Sequence, residues 1–186
     1  MKHEHQEARS GQKREAVPGD ERGVLLRQLM ESYGSDVWHY AYFLTRSRDL
    51  ADDIAQDTFV KAYGALDSFR GEAKIKTWLL SITRHTAFDY RRSAFVQRSV
   101  LMAEPPEREQ AESAEATYMR RVDSVQIWSA IMRLPDRYRE VLVLDLKHGL
   151  KLAEIAKLLG IAEGTVKSRL FRARGKVAKQ LKEERG

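Results

Sequence analysis

Cysteine is absent from the 186 residues, which excludes a disulfide framework, a thiol nucleophile, an iron–sulfur cluster and a zinc site built on thiolates. Only four prolines and eleven glycines occur, too few for the turn-dense chain of an all-β sandwich. No apolar run approaches the ~20 residues that cross a bilayer, and the N-terminus lacks the apolar stretch of a signal peptide. The expected setting is therefore the cytoplasm, without membrane insertion. What the chain does have is charge: 32% of residues are Asp, Glu, Lys or Arg, and Lys plus Arg outnumber Asp plus Glu by 33 to 27, a formal +6. Its Leu, Ala, Glu, Lys and Arg favour helices, and the basic balance favours a polyanionic partner. The length suits one medium domain or two small ones and not a large enzyme core.

Residues 1–22 hold five basic and five acidic side chains with almost nothing large and apolar, and read as a disordered arm. From Val24 the spacing turns helical. Leu25, Leu26, Leu29, Met30 and Tyr33, then Val37, Trp38, Ala41 and Leu44, predict two helices joined near Gly34. A third helix is expected from Asp49, its carboxylate as the cap, and a fourth from about Lys74 to Arg92. Residues 96–121 form an acidic linker: Leu101 to Thr117 carries five glutamates, one arginine and Pro105-Pro106. At about 3.3 Å per residue, the aperiodic stretch 93–121 reaches up to roughly 95 Å and need not hold its flanks together. Helical spacing returns with Val122, Val125, Trp128, Ile131 and Met132; Pro135 then opens a helix that Gly149 stops. The fold expected is all-α, with one helical domain over 23–95 and another over 122–183.

Residues 152–174 read as helix, short turn, helix, with Ala156, Gly160, Val166 and Leu170 spaced to fill the angle of a helix-turn-helix. From Gly160 onward there are eight basic and three acidic residues. Arg and Lys on such a second helix read guanine edges in a major groove, and Ser or Thr serves either base class. An ordinary helical hairpin is the plainer alternative.

The first domain separates its charges. Residues 49–60 carry Asp49, Asp52, Asp53 and Asp57 and no Lys or Arg, whereas 69–98 carry seven basic residues and two acidic ones. Asp49, Asp53 and Asp57 share one helical face. A solvated charged face and a docking surface for a basic protein both explain it, whereas one row of carboxylates does not supply the converging oxygens of a metal shell. Downstream, Trp78, His85, Phe88 and Tyr90 interleave with Arg84, Arg91 and Arg92, a mixture suited to stacking unpaired bases and holding phosphates; Trp78 reads equally as core. His85 and Asp89 form an i, i+4 pair without a third group to make them catalytic.

At these residues the chain resembles the extracytoplasmic-function sigma factors of bacterial RNA polymerase. The run Asp53, Gln56, Asp57, Thr58, Phe59 resembles the family's Asp-x-x-Gln-acid-Thr-Phe signature; FRGEAKIKTWL and TRHTAFDYRR resemble its region 2, and LPDRYREVLVL and EGTVKSRLFRAR its region 4. The resemblance spans about 24–95 and 123–182. It implies that Asp49, Asp53, Gln56, Asp57 and Phe59 dock on core RNA polymerase. It implies that Phe69, Arg70, Lys74, Lys76, Arg84, His85, Asp89 and Arg92 melt and capture the minus-10 element, with a flipped base in the Phe69 to Lys76 loop. Thr165, Lys167, Ser168, Arg169, Phe171, Arg172 and Arg174 would read the minus-35 duplex. The linker would enter the polymerase channel as a nucleic-acid mimic.

An anti-sigma factor is implied as a further partner. No cofactor, metal, small-molecule substrate or bond chemistry of the chain's own is implied. Three positions depart from the pattern: His85 stands where Asn is usual, and Lys151 and Ala162 stand where Ser or Thr commonly caps the two helices of the reading motif. The rival reading is a dimeric helix-turn-helix repressor or activator, which leaves the Asp-rich run and the basic aromatic helix without a task. A metal-dependent nuclease, or a polymerase-binding protein without DNA specificity, accounts for less of the sequence.

Overall fold

The first apolar stretch forms one helix, not two. α1 runs unbroken over Gly19–Thr45, passing through Gly34, where space around the backbone is open. A single interior glycine weakens a helix by only about 1 kcal/mol. Leu29, Val37, Tyr40, Ala41 and Leu44 are buried on both sides of it, so continuous packing outweighs the local penalty. The chain is a computed structural model that describes residues 19–69, 71, 73–100 and 118–184. The arm up to residue 18, Arg70 and most of the acidic linker lie outside the described residues.

α1 ends where Arg46 takes a left-handed conformation, φ 60°. α2 (Arg48–Ala65) follows at once, capped by Ser47, whose hydroxyl accepts from the Leu50 amide at 3.3 Å. The sequence expectation that Asp49 caps this helix is thereby corrected; Asp49 sits in the first turn, where its charge suits the helix dipole. Ala51, Ile54, Thr58, Phe59 and Ala62 face inward, and the buried Thr58 hydroxyl is satisfied by the Ile54 carbonyl at 2.7 Å. A single 3₁₀ turn (Leu66–Ser68) leads to α3 (Ile75–Val100), which extends past the predicted Arg92.

The C-terminal half holds α4 (Tyr118–Met132), α5 (Asp136–Leu146), α6 (Leu152–Leu159) and α7 (Glu163–Glu183). α4 begins within the segment predicted as linker. Pro135 opens α5, its carbonyl accepting from the Tyr138 and Arg139 amides at 2.9 and 3.0 Å. Gly149, φ 65°, closes the turn that follows. No strand occurs among the described residues.

One small core, of Leu29, Val37, Phe59, Ala62 and Leu79, lies within the first three helices. The larger core joins both halves: Tyr40, Phe43, Leu44, Ile54 and Leu80 share it with Ile131, Leu134, Val141, Leu142 and Leu144. Each large side chain so buried contributes about 1.5–3 kcal/mol. The rings of Phe43 and Trp128 lie 5.4 Å apart across the junction. Beside them Arg139, 3% exposed, donates to the Phe43 carbonyl at 2.7 Å, the Leu134 carbonyl at 3.0 Å and Asp136 at 2.8 Å. The two halves that the long linker leaves free to separate are thus packed together.

Candidate nucleic-acid interface

α6 and α7 cross as the small residues predict. Gly160, φ 66°, ends α6, and the Ile161 amide donates back to the Ala156 carbonyl at 3.1 Å. Along α7, Val166, Leu170, Ala173 and Val177 are buried at helical spacing, which turns the opposite face outward. Lys167, Ser168, Phe171, Arg172 and Arg174 are exposed there, while Thr165 and Arg169 are half-buried. Phe171 is 81% exposed, an aromatic side chain that no core residue covers. The Ser168 hydroxyl donates to the Thr165 carbonyl at 3.0 Å, and Arg174 pairs with Asp145 at 2.8 Å. A hydrogen bond from Arg172 holds the Tyr138 phenol below its ordinary value, against a smaller effect of burial and with help from the Arg137 charge. The rigid side of the motif is apolar and filled; the basic side faces solvent.

The two capping departures resolve differently. At α6 the Glu154 carboxylate accepts from the Lys151 amide at 2.8 Å, one half of a capping box. That bond holds the Glu154 carboxyl below the usual range, against a smaller effect of burial; Lys74, at 3.1 Å, adds to the lowering. At α7, Ala162 provides no side-chain acceptor.

On α2, Asp49, Asp53 and Gln56 are exposed and Asp57 is half-buried. Asp57 accepts from the Tyr90 hydroxyl at 2.9 Å, which raises the Tyr90 phenol together with burial and the Asp53 charge. Phe59 departs from its expected role. It is 5% exposed inside the small core, so it seats the helix and presents no contact surface. No cluster of three His, Asp or Glu able to hold a metal occurs among the described residues.

Around α3 the candidate residues gather beside a cleft of about 460 Å³, lined by Phe69, Thr77, Trp78, Ser81, His85 and Lys157, among others. Phe69 and Trp78 lie 4.9 Å apart at 45°. Trp78 is half-buried: it packs on the small core and also walls the cleft, so both readings of it hold. The buried Thr77 hydroxyl has no partner. His85 does not pair with Asp89; its ring meets the Ser81 carbonyl at 2.7 Å, and Asp89 pairs with Lys61 at 3.3 Å. Arg84 lies over the Phe88 ring at 4.5 Å. Arg92 is exposed.

Several of these basic side chains already have acidic partners. Lys74 pairs with Glu154 at 3.1 Å, Arg84 with Glu140 at 2.8 Å, Arg91 with Asp136 at 2.9 Å and Lys76 with Asp36 at 3.0 Å. Glu140 also accepts from the buried Tyr40 hydroxyl at 3.1 Å; burial, then the Glu140 charge, pushes that phenol well up. Burial works to raise the Asp136 carboxyl, but its bonds and charges from Arg91 and Arg139 outweigh this and hold it low. Asp36 is held low in the same way by Lys76 and His148. Arg139, Glu140, Glu154, Asp36 and His148 were not candidates in the sequence. The available signal was Arg139, a charge between Tyr138 and Val141 on an otherwise apolar helix face.

Two family models match the chain, Sigma-70 region 2 over residues 29–94 and Sigma-70 region 4 over 124–177. RNA polymerase sigma factor YlaC of Bacillus subtilis is 33% identical over 162 residues, 86% of this chain and 94% of that protein. The ECF RNA polymerase sigma-E factor of Haemophilus influenzae is 33% identical over 180 residues, covering 88% and 89%. Among solved structures, the sigma factor RpoE in complex with the anti-sigma factor NepR from Bartonella quintana superposes with a TM-score of 0.68 at 26% identity, covering 84% of this chain and 96% of that one. CnrH in complex with the cytosolic domain of CnrY gives 0.62 at 27%, covering 87% and 90%.

Proposed function

The chain belongs to the extracytoplasmic-function sigma factors of the sigma-70 family, initiation factors for RNA polymerase, and from that premise we propose how its faces divide the work. The observation that carries the reading is α7, whose apolar side is filled by the fold and whose opposite side presents Lys167, Ser168, Phe171 and Arg172 to solvent. That face enters the major groove of the minus-35 duplex; Arg and Lys bind guanine edges or phosphates, and Phe171 lies against thymine methyl groups. Thr165 and Arg174 meet the backbone.

The acidic face of α2, with Asp49, Asp53, Gln56 and Asp57, docks on a basic surface of core polymerase, the charge complementarity fixing orientation. The α3 face with Lys74, Lys76, Arg84, His85 and Arg92, with the adjoining aromatic cleft, captures the melted minus-10 strand. Extruding a base costs a few kcal/mol, offset by stacking on Phe69 and Trp78 and by polar contacts. The units are residues 23–95 and 122–183, joined by the acidic segment, which enters the polymerase channel. The chain catalyses no bond chemistry itself. The solved relatives bound to NepR and CnrY support an anti-sigma factor as a further partner. No helix among the described residues is long and apolar enough to cross a membrane, which accords with a cytoplasmic site of action.

The test is co-migration. Mixed with core polymerase, the purified chain should form a stable complex that Asp53→Arg weakens at least tenfold (~1.4 kcal/mol or more). A chain that binds promoter fragments as a dimer and leaves polymerase alone would instead be a repressor.

A further inference from the structure

The basic face of α3 and the acidic edge of α5 and α6 meet residue by residue. Glu154 holds Lys74, Glu140 holds Arg84 and Asp136 holds Arg91, all within 3.1 Å. Lys157 and Leu158 of α6 stand at the cleft that Phe69 and Trp78 wall. A carboxylate and a phosphate compete for the same guanidinium or ammonium group, so these three acids occupy the places an unpaired strand would take. The contact is selective. Asp49, Asp53 and Gln56 of α2, and Lys167, Ser168 and Phe171 of α7, remain exposed.

We infer that the C-terminal half is a built-in gate on strand capture: its Asp136, Glu140 and Glu154 mimic DNA phosphates on α3 and must be displaced before an unpaired strand can bind. The inference rests on the α3 reading given above. It adds that the closed chain can dock through α2 and read duplex through α7 while strand capture is blocked. Two of the pairs, Lys74–Glu154 and Arg91–Asp136, have a largely exposed partner, where salt and competing anions act most strongly. The third, Arg84–Glu140, is mostly buried. Such a contact is one that a polyanion can open.

The absence of cysteine allows a dye pair to be placed at Gln28→Cys on α1 and Lys179→Cys on α7, both exposed. In the full chain, energy transfer should be high and should fall as an unpaired oligonucleotide is titrated in. The variant D136N/E140Q/E154Q should start with low transfer and bind that oligonucleotide about tenfold tighter, while its affinity for a short mixed-sequence duplex changes less than about threefold. Equal single-strand affinity in wild type and variant, or low transfer in the wild type, overturns the gate. Loss of single-strand binding by both chains with duplex binding intact removes the α3 reading itself. If the triple variant loses helicity by circular dichroism, the wild-type titration decides alone: transfer that stays high with the strand bound contradicts the gate.

Discussion

His148 is the residue through which acid should reach this fold. It is 5% exposed; its Nδ1 lies 3.1 Å from Asp36, its Nε2 has no partner, and its ring meets the Tyr40 ring edge-on. Burial depresses it to about 4, the Asp36 attraction opposing and the Lys76 and Lys147 charges assisting. In the unfolded chain it titrates near 6.5. Unfolding therefore takes up a proton between about pH 6.5 and pH 4, and stability falls as pH drops through that window by up to ~3 kcal/mol from this group. Asp36, held below the ordinary carboxylate value, adds a loss of the same sign as pH falls through its native range. Urea midpoints measured at about pH 7 and about pH 4.5 should separate in the wild type and converge in His148→Gln; equal separation in both would contradict this assignment. Capping makes a second prediction at this scale. Ala162→Ser supplies the missing acceptor and should add ~1 kcal/mol, raising Tm by about 3 °C. Lys151→Ser should gain less, because Glu154 already accepts the Lys151 amide. Equal gains in a thermal melt would refute that distinction.

Two phenylalanines in recognised motifs separate position from role at the scale of the element. Phe59 lies in the small core, so Phe59→Ala should cost ~3–5 kcal/mol in denaturant titration. Phe171 is exposed, so Phe171→Ala should change stability by less than about 0.5 kcal/mol and weaken promoter duplex binding about fivefold or more. A reversal of the two effects would invert the assignment of faces. The sequence made α7 readable because its apolar residues recur at one period and its basic residues fall between them. Phe59 was misplaced because a shared motif does not say which member faces inward; its spacing with Ala55 and Ala62 would have. Gly34 suggested a break because a glycine's local cost is visible in sequence and the packing that offsets it is not. Ser47 lost the capping role to Asp49 in the reading for a related reason: both residues suit the position, and only the Arg46 turn decides between them.

Across the whole molecule, the order of helices and the separation of acidic and basic faces were legible, but the packing of one half on the other was not. Glu140 and Arg84 stand 56 positions apart, and no local period relates them; each alone looks like a solvated charge. Arg139 is the exception, and it is where the junction should be most fragile. Arg139→Ala would leave the Phe43 and Leu134 carbonyls without their donor and should destabilise the chain by ~3 kcal/mol or more, read as a lower urea midpoint. An unchanged midpoint would mean that the junction contributes nothing to folding. The account as a whole stands on initiation. Purified chain added to core polymerase and genomic fragments should yield discrete run-off transcripts that share a minus-35 and minus-10 motif and disappear with Asp53→Arg; transcripts identical with and without the chain would contradict it.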